Sequence, residues 1–254
     1  MTLPKTPSFS LKGKKALVVG ASSGIGSACA VALAEHGASV TLAARRKDRL
    51  IRLADKMSKK NWDTNILEMN IANVEETSRL ISGCEQFDIL VNSAGLARHS
   101  KSLDTSVEDF DTVMNINLKG AYFLTQAVAK KLFSMGKTGS LINISSQMGL
   151  VGGQERAVYC SSKHAVEGFT KAMAIEYGPA NIRVNTICPT FILTDMTKAT
   201  FDDPEKRAWV ESKIKLGRVG AVQDIMGAVV YLASDASSLV TGSALLIDGG
   251  WTAG

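Results

Sequence analysis

Tyr159 and Lys163 stand four positions apart in the run Tyr159-Cys160-Ser161-Ser162-Lys163. On a helix that spacing puts both side chains on one face. A free tyrosine, with a pKa of about 10, is a poor base near neutrality. A neighbouring ammonium favours the phenolate, so the pair can take a proton from an alcohol or return one to a forming alkoxide. Ser145 and Ser146 lie fourteen and thirteen positions before the tyrosine, at the end of the apolar run Ser140-Leu141-Ile142-Asn143-Ile144. Ligands bind at the C-terminal ends of strands in open α/β sheets, so a hydroxyl there is placed to hold a carbonyl oxygen.

A second constellation lies near the start of the chain. An apolar run leads directly into Gly20-Ala21-Ser22-Ser23-Gly24-Ile25-Gly26, and an alanine-rich helical segment follows. Glycine lets a backbone turn tightly and approach a ligand, while a helix N-terminus offers unpaired N–H groups to negative charge. The turn therefore suits a dinucleotide diphosphate, although its G-x-x-x-G-x-G spacing differs from the common G-x-G-x-x-G fingerprint. The next apolar run, Ser39–Ala43, ends in Ala44-Arg45-Arg46-Lys47 with no carboxylate. An acid at this point binds the ribose 2′-hydroxyl of NAD, whereas arginine accommodates the 2′-phosphate of NADP. Arg45 and Arg46 thus favour NADP, with NAD as the weaker alternative.

These groups need a scaffold. Candidate strands are Ala16–Val19, Ser39–Ala43, Thr64–Met69, Asp88–Asn92, Ser140–Ser145, Arg183–Cys188 and Ala244–Ile247. Several are near-continuous apolar runs, as parallel strands covered on both faces require. Helical periodicity marks Ile25–His36, Lys47–Lys59, Val74–Cys84, Val107–Met135, Ala157–Tyr177 and Val222–Ala233. The alternation predicts an α/β fold, a Rossmann-type doubly wound parallel sheet of seven strands flanked by helices. No linker divides the chain, so residues 1–254 are expected to form a single domain. Residues 194–216 have no clear sheet role and read as a substrate loop.

Composition narrows the classes further. Of 254 residues, 45% are hydrophobic and 21% charged, which excludes a disordered chain. Lys and Arg total 29 against 24 acidic residues, a net charge of +5 without a dense basic run. That balance suits a small anionic ligand and argues against nucleic acid. The 4 cysteines form neither a CxxC pair nor a Cys/His cluster, so no metal site is expected. No apolar run approaches the roughly 18–20 residues of a membrane span, and a cytoplasmic protein without membrane partners is the default.

Taken together, the chain resembles the short-chain dehydrogenase/reductase family over nearly its whole length. The matching pieces come in the family's order: Gly20–Gly26, Asn92-Ser93-Ala94-Gly95, Asn117-Leu118-Lys119-Gly120, Ser146, Tyr159 with Lys163, Pro189 with Thr194, and Asp248-Gly249-Gly250. The resemblance implies Tyr159 as catalytic acid/base, with Lys163 lowering its pKa and holding the nicotinamide ribose. Ser146 would position the substrate oxygen, and Asn117 would complete a proton relay through water. For the cofactor it implies Gly20, Ser22, Ser23, Gly24, Ile25 and Gly26 at the diphosphate and Asn70 and Ile71 at the adenine. Asn92, Ala94 and Gly95 would support the adenosine ribose, and Pro189, Ile192 and Thr194 the nicotinamide amide. A homotetramer is implied, packing through Val107–Met135 and Ala157–Tyr177. The chain departs from the family's pattern at Val19, Asn70, Ser93 and Thr190, none of which carries chemistry.

The expected substrate is a ketone or 3-oxoacyl thioester, as in the acyl-carrier-protein reductases of the family. A sugar or polyol dehydrogenase is the alternative, and a non-catalytic dinucleotide sensor a third. Gln147, Met148 and Phe191, with Ser146, are the expected substrate contacts. Arg98 and His99 are expected to face solvent.

Overall fold

The structure is a computed structural model that describes residues 2–254. Its strands are β1 (Lys15–Val19), β2 (Ser39–Ala44), β3 (Thr64–Glu68), β4 (Ile89–Asn92), β5 (Gly139–Ile144), β6 (Ile182–Pro189) and β7 (Ala244–Ile247). They form one seven-stranded sheet in the order β3-β2-β1-β4-β5-β6-β7, and every pairing is parallel. The order reverses between β1 and β4, which opens a crevice at the C-terminal strand ends.

Successive side chains on a strand point to opposite faces, so each central strand feeds two cores. Val18, Val91 and Ile142 pack on one face with α1 (Gly24–Glu35) and α9 (Gln223–Ala233). Leu17, Leu90 and Leu141 pack on the other with α5 (Ala121–Ser134) and α6 (Ala157–Tyr177). The apolar runs of β1 and β4 are continuous because both faces are covered. The remaining helices are α2 (Lys47–Ser58), α3 (Val74–Gly83), α4 (Val107–Met114), α7 (Lys198–Phe201) and α8 (Pro204–Lys213). No helix among the described residues is long and apolar enough to cross a membrane.

Two segments differ from their sequence reading in a way that bears on the site. The long helix expected over 107–135 is interrupted by a π-helical turn at Asn115–Gly120, between α4 and α5. The wider turn carries Asn117 into the interior, where it is 2% exposed, and lays Gly120 against the Ile71 carbonyl. Such turns recur at functional sites. The segment 194–216 is a helix pair, α7 and α8, with Asp203 capping the N–H groups of Glu205 and Lys206. Val210, Ile214 and Val219 give it a small core of its own, shared with Phe191, Phe201 and Trp251.

Candidate active site

The crevice at the strand ends holds a cleft of about 650 Å³. One end is built by the turn between β1 and α1. There Gly20 has a φ of +81°, and a Cβ on it would lie 2.7 Å from the Ser93 carbonyl carbon. Gly24 has a φ of +55° and supports Thr194, whose methyl would be 3.2 Å from an added Cβ. Ser22, Ser23 and Ile25 complete this wall, and Arg45 and Arg46 line it from the end of β2. Arg46 donates to the Ser22 hydroxyl at 2.9 Å and to that of Ser23 at 3.3 Å. A diphosphate fits this cradle, because the N-terminus of α1 offers it unpaired N–H groups and an arginine fork stands beside it.

Asn70, Ile71, Ala94 and Gly95 line the middle of the cleft. The far wall carries Pro189, Phe191, Ile192 and Thr194 after β6, together with Ser146, Gln147 and Met148 after β5. Met196, Thr197 and Thr200 reach it from the 194–216 segment, which is therefore both a surface helix pair and a cleft wall.

Three expected contacts do not reach the cleft wall. Gly26 lies beneath the turn, where an added Cβ would come 2.3 Å from the Gly20 carbonyl oxygen; it lets α1 sit against the turn. Asn92 joins β4 to β5 by donating to Asn143 Oδ1 at 3.1 Å, and its own Oδ1 accepts from Ala94 N–H. Asn117 accepts from the Leu96 N–H at 2.9 Å and donates to the Leu96 carbonyl at 2.8 Å and to Ser162 Oγ at 3.1 Å. Both of its side-chain N–H groups are thereby used. A proton relay through Asn117 has only the main-chain carbonyl to run through.

Tyr159 and Lys163 project together from α6 into the cleft, with the ammonium 5.7 Å from the tyrosine ring centre. Lys163 is 5% exposed and donates to the Ile144 carbonyl at 2.9 Å, just where β5 ends. Burial pushes its pKa down to about 8, with Cys188 and Glu167 working in the opposite sense. The Tyr159 phenol departs from the sequence expectation. Burial lifts its pKa above the ordinary value, and the Ser146 hydroxyl hydrogen-bonded to it works against that lift. The reason is physical: a low-dielectric wall disfavours the phenolate unless positive charge comes close to it. Ser146 Oγ accepts from the Met148 N–H at 3.1 Å, which holds the hydroxyl beside Tyr159. Ser145 lines the cleft as well, but its hydroxyl is buried without a partner.

Two residues at the tyrosine end were not read from the sequence as site residues. His99 lines the cleft, its ring edge-on to Tyr159 at 6.3 Å, whereas Arg98 faces outward and lies 3.6 Å from Asp109. Arg156, one helical turn before Tyr159, also lines the cleft. Its i, i+3 spacing places it on the tyrosine's side of the helix, but spacing alone does not separate it from a solvated arginine. Gln147 is 1% exposed, and neither atom of its amide has a protein partner; the Thr190 hydroxyl is buried in the same condition.

Known proteins resemble the chain end to end. A family model described as enoyl-(acyl carrier protein) reductase matches residues 20–252. The uncharacterized oxidoreductase YgcW of Escherichia coli is 40% identical over 247 residues, covering 96% of this chain and 94% of that protein. D-erythrulose reductase of Gallus gallus is 36% identical over 245 residues, covering 96% of this chain and 98% of the relative. The crystal structure of a putative 2-deoxy-D-gluconate 3-dehydrogenase from Agrobacterium tumefaciens with bound NADP superposes with a TM-score of 0.92. It is 40% identical and covers 98% of this chain and 100% of that one. With the parallel sheet, the glycine turn and the tyrosine–lysine helix in place, the chain belongs to the short-chain dehydrogenase/reductase family of oxidoreductases.

Proposed function

We propose that the protein is an NADP(H)-dependent dehydrogenase/reductase that interconverts a secondary hydroxyl and a ketone on a polyhydroxylated carbon chain, a sugar, sugar acid or polyol. The observation that carries this reading is the end-to-end likeness to proteins named for small polyhydroxylated molecules, one for a four-carbon ketose and one for a deoxygluconate. Both favour the sugar and polyol alternative over the 3-oxoacyl thioester. The polar residues Ser146, Gln147 and Thr190 among those lining the cleft suit a hydroxylated substrate better than an acyl chain. Arg45 and Arg46 at the end of β2 support NADP, and the Agrobacterium structure contains NADP.

When bound, the nicotinamide supplies the acceptor or donor of hydride. The chain supplies the rest. Tyr159 moves the proton at the substrate oxygen, and Ser146 donates a hydrogen bond to that same oxygen. Lys163, fixed on the Ile144 carbonyl, places its charge beside the tyrosine ring and thereby lowers the cost of the phenolate. Gly20–Gly24, Arg45 and Arg46 hold the diphosphate and 2′-phosphate end. Asn117, Asn92 and Gly26 position the neighbouring segments. The apolar groups exposed on the outer helices, among them Val107, Phe133 and Ile175, support a homotetramer packed through α4, α5 and α6.

Steady-state assays that follow nicotinamide absorbance test the reading. NADPH with four- to six-carbon ketoses and keto sugar acids, and NADP with the corresponding alcohols, are expected to turn over well. A short 3-oxoacyl thioester is expected to be poor by comparison. Efficient thioester reduction with no activity on hydroxylated substrates would reverse the assignment, and Tyr159→Phe is expected to abolish turnover while NADPH still binds.

A further inference from the structure

The tyrosine end of the cleft carries a cation, Arg156, whose nearest charge along the chain is its exposed neighbour Glu155. Among the described residues, no carboxylate lies within ion-pair distance of Arg156. One guanidinium nitrogen donates to the Gln154 carbonyl at 2.8 Å, and its central carbon sits 5.5 Å from the centre of the Phe191 ring. Phe191 is itself stacked on Trp251 at 5.7 Å and 22°, so the guanidinium rests on an anchored aromatic surface. A planar cation seated on a ring loses little freedom when its remaining N–H groups engage a ligand.

Its neighbours point to the charge of that ligand. Glu155 is exposed, and His99 is held below its ordinary pKa by burial and by Arg156. His99 and Arg156 both line this end of the cleft, and the permanent charge there is the Arg156 guanidinium. Arg45 and Arg46 stand at the opposite end of the cleft beside the glycine turn. Asp195 is the carboxylate among the cleft-lining residues, and Arg49 faces it at 3.5 Å. The cleft thus has two cationic ends, and only one of them is accounted for by the cofactor.

We propose that Arg156, seated on Phe191 beside His99, binds the carboxylate of the substrate and selects sugar acids over neutral sugars and polyols. The inference rests on the hydroxylated-substrate reading above and decides within it, since the relatives span both a neutral ketose and a sugar acid. Planar forks match carboxylates in two parallel hydrogen bonds.

The test uses matched pairs, aldonates of four to six carbons and the alditols of the same length and configuration, with NADP and the intact enzyme. The wild type is expected to show the higher kcat/KM on aldonates. Arg156→Gln should lower the aldonate-to-alditol ratio of kcat/KM by about 10–100-fold, mainly through KM. Arg156→Lys should recover part of the loss, because the charge stays and the fork is gone. NADPH affinity, read by fluorescence quenching, reports that the variants are folded. A wild-type preference for alditols, or a ratio unmoved by Arg156→Gln, overturns the carboxylate assignment and leaves the dehydrogenase reading intact. No wild-type turnover of either class, with NADPH still bound, overturns both.

Discussion

Asn117 clasps Leu96 by both of its main-chain polar groups, accepting from the N–H at 2.9 Å and donating to the carbonyl at 2.8 Å. The clasp ties the π-helical turn to the strand-end loop 93–97, which lines the middle of the cleft. Asn117→Ala leaves two buried main-chain groups and the Ser162 hydroxyl without this partner. The expected cost is about 1–3 kcal/mol of stability, together with a loss of kcat/KM. Thermal unfolding and kinetics on one preparation check it; unchanged activity would show that the loop holds its place without the clasp.

Gly26 presses against the Gly20 carbonyl, with only 2.3 Å for an added Cβ. Gly26→Ala must push α1 away from the turn, at a cost of about 1–3 kcal/mol. Since the same turn forms the phosphate cradle, NADPH binding should weaken as well. Gly83, at the end of α3, has no atom within 4 Å of an added Cβ. Gly83→Ala is expected to be neutral or to stabilise by about 0.4–1 kcal/mol. Melting curves of the two variants, taken with and without NADPH, should therefore separate in sign.

Arg46 reaches across to Ser22 and Ser23, which places its fork over the glycine turn. Arg46→Gln should weaken NADPH binding by about 10-fold or more and leave NADH nearly unchanged, because only the former carries the 2′-phosphate. The site is exposed, so the NADPH preference should also fall as salt is raised. Fluorescence titrations of both dinucleotides at low and high ionic strength provide the measurement. Equal losses for NADPH and NADH would assign Arg46 to the diphosphate.

Burial holds the Lys163 pKa at about 8 in the folded protein, against an ordinary value of 10.5. Between those values the unfolded chain binds the extra proton and the folded chain does not, so stability rises with pH through that window. Lys163→Met removes this dependence. The melting temperature of the wild type, relative to Lys163→Met, should climb as pH goes from about 7.5 to about 10. A flat difference would mean that the buried amine keeps its proton throughout.

The apolar runs and the glycine turn were sufficient for the sheet and its cofactor end, because period-two burial and backbone freedom are local properties of a sequence. Tyr159 and Lys163 were legible for the same reason: four positions on a helix bring them together whatever the rest does. Ser146 needed the strand before it, and it too was within reach. Arg156 and His99 were different. An arginine at a helix start is ordinarily a solvated surface group, and only the packing of β6's following loop against α6 puts Phe191 beneath it. Likewise Asn117 reads as a catalytic residue by its motif, while the π-helical turn commits its side chain to Leu96. Residue type and local spacing determined which chemistry this protein can perform. Tertiary packing decided which charges are left unpaired, and therefore what the cleft selects, because desolvation and partner geometry depend on segments distant in the chain.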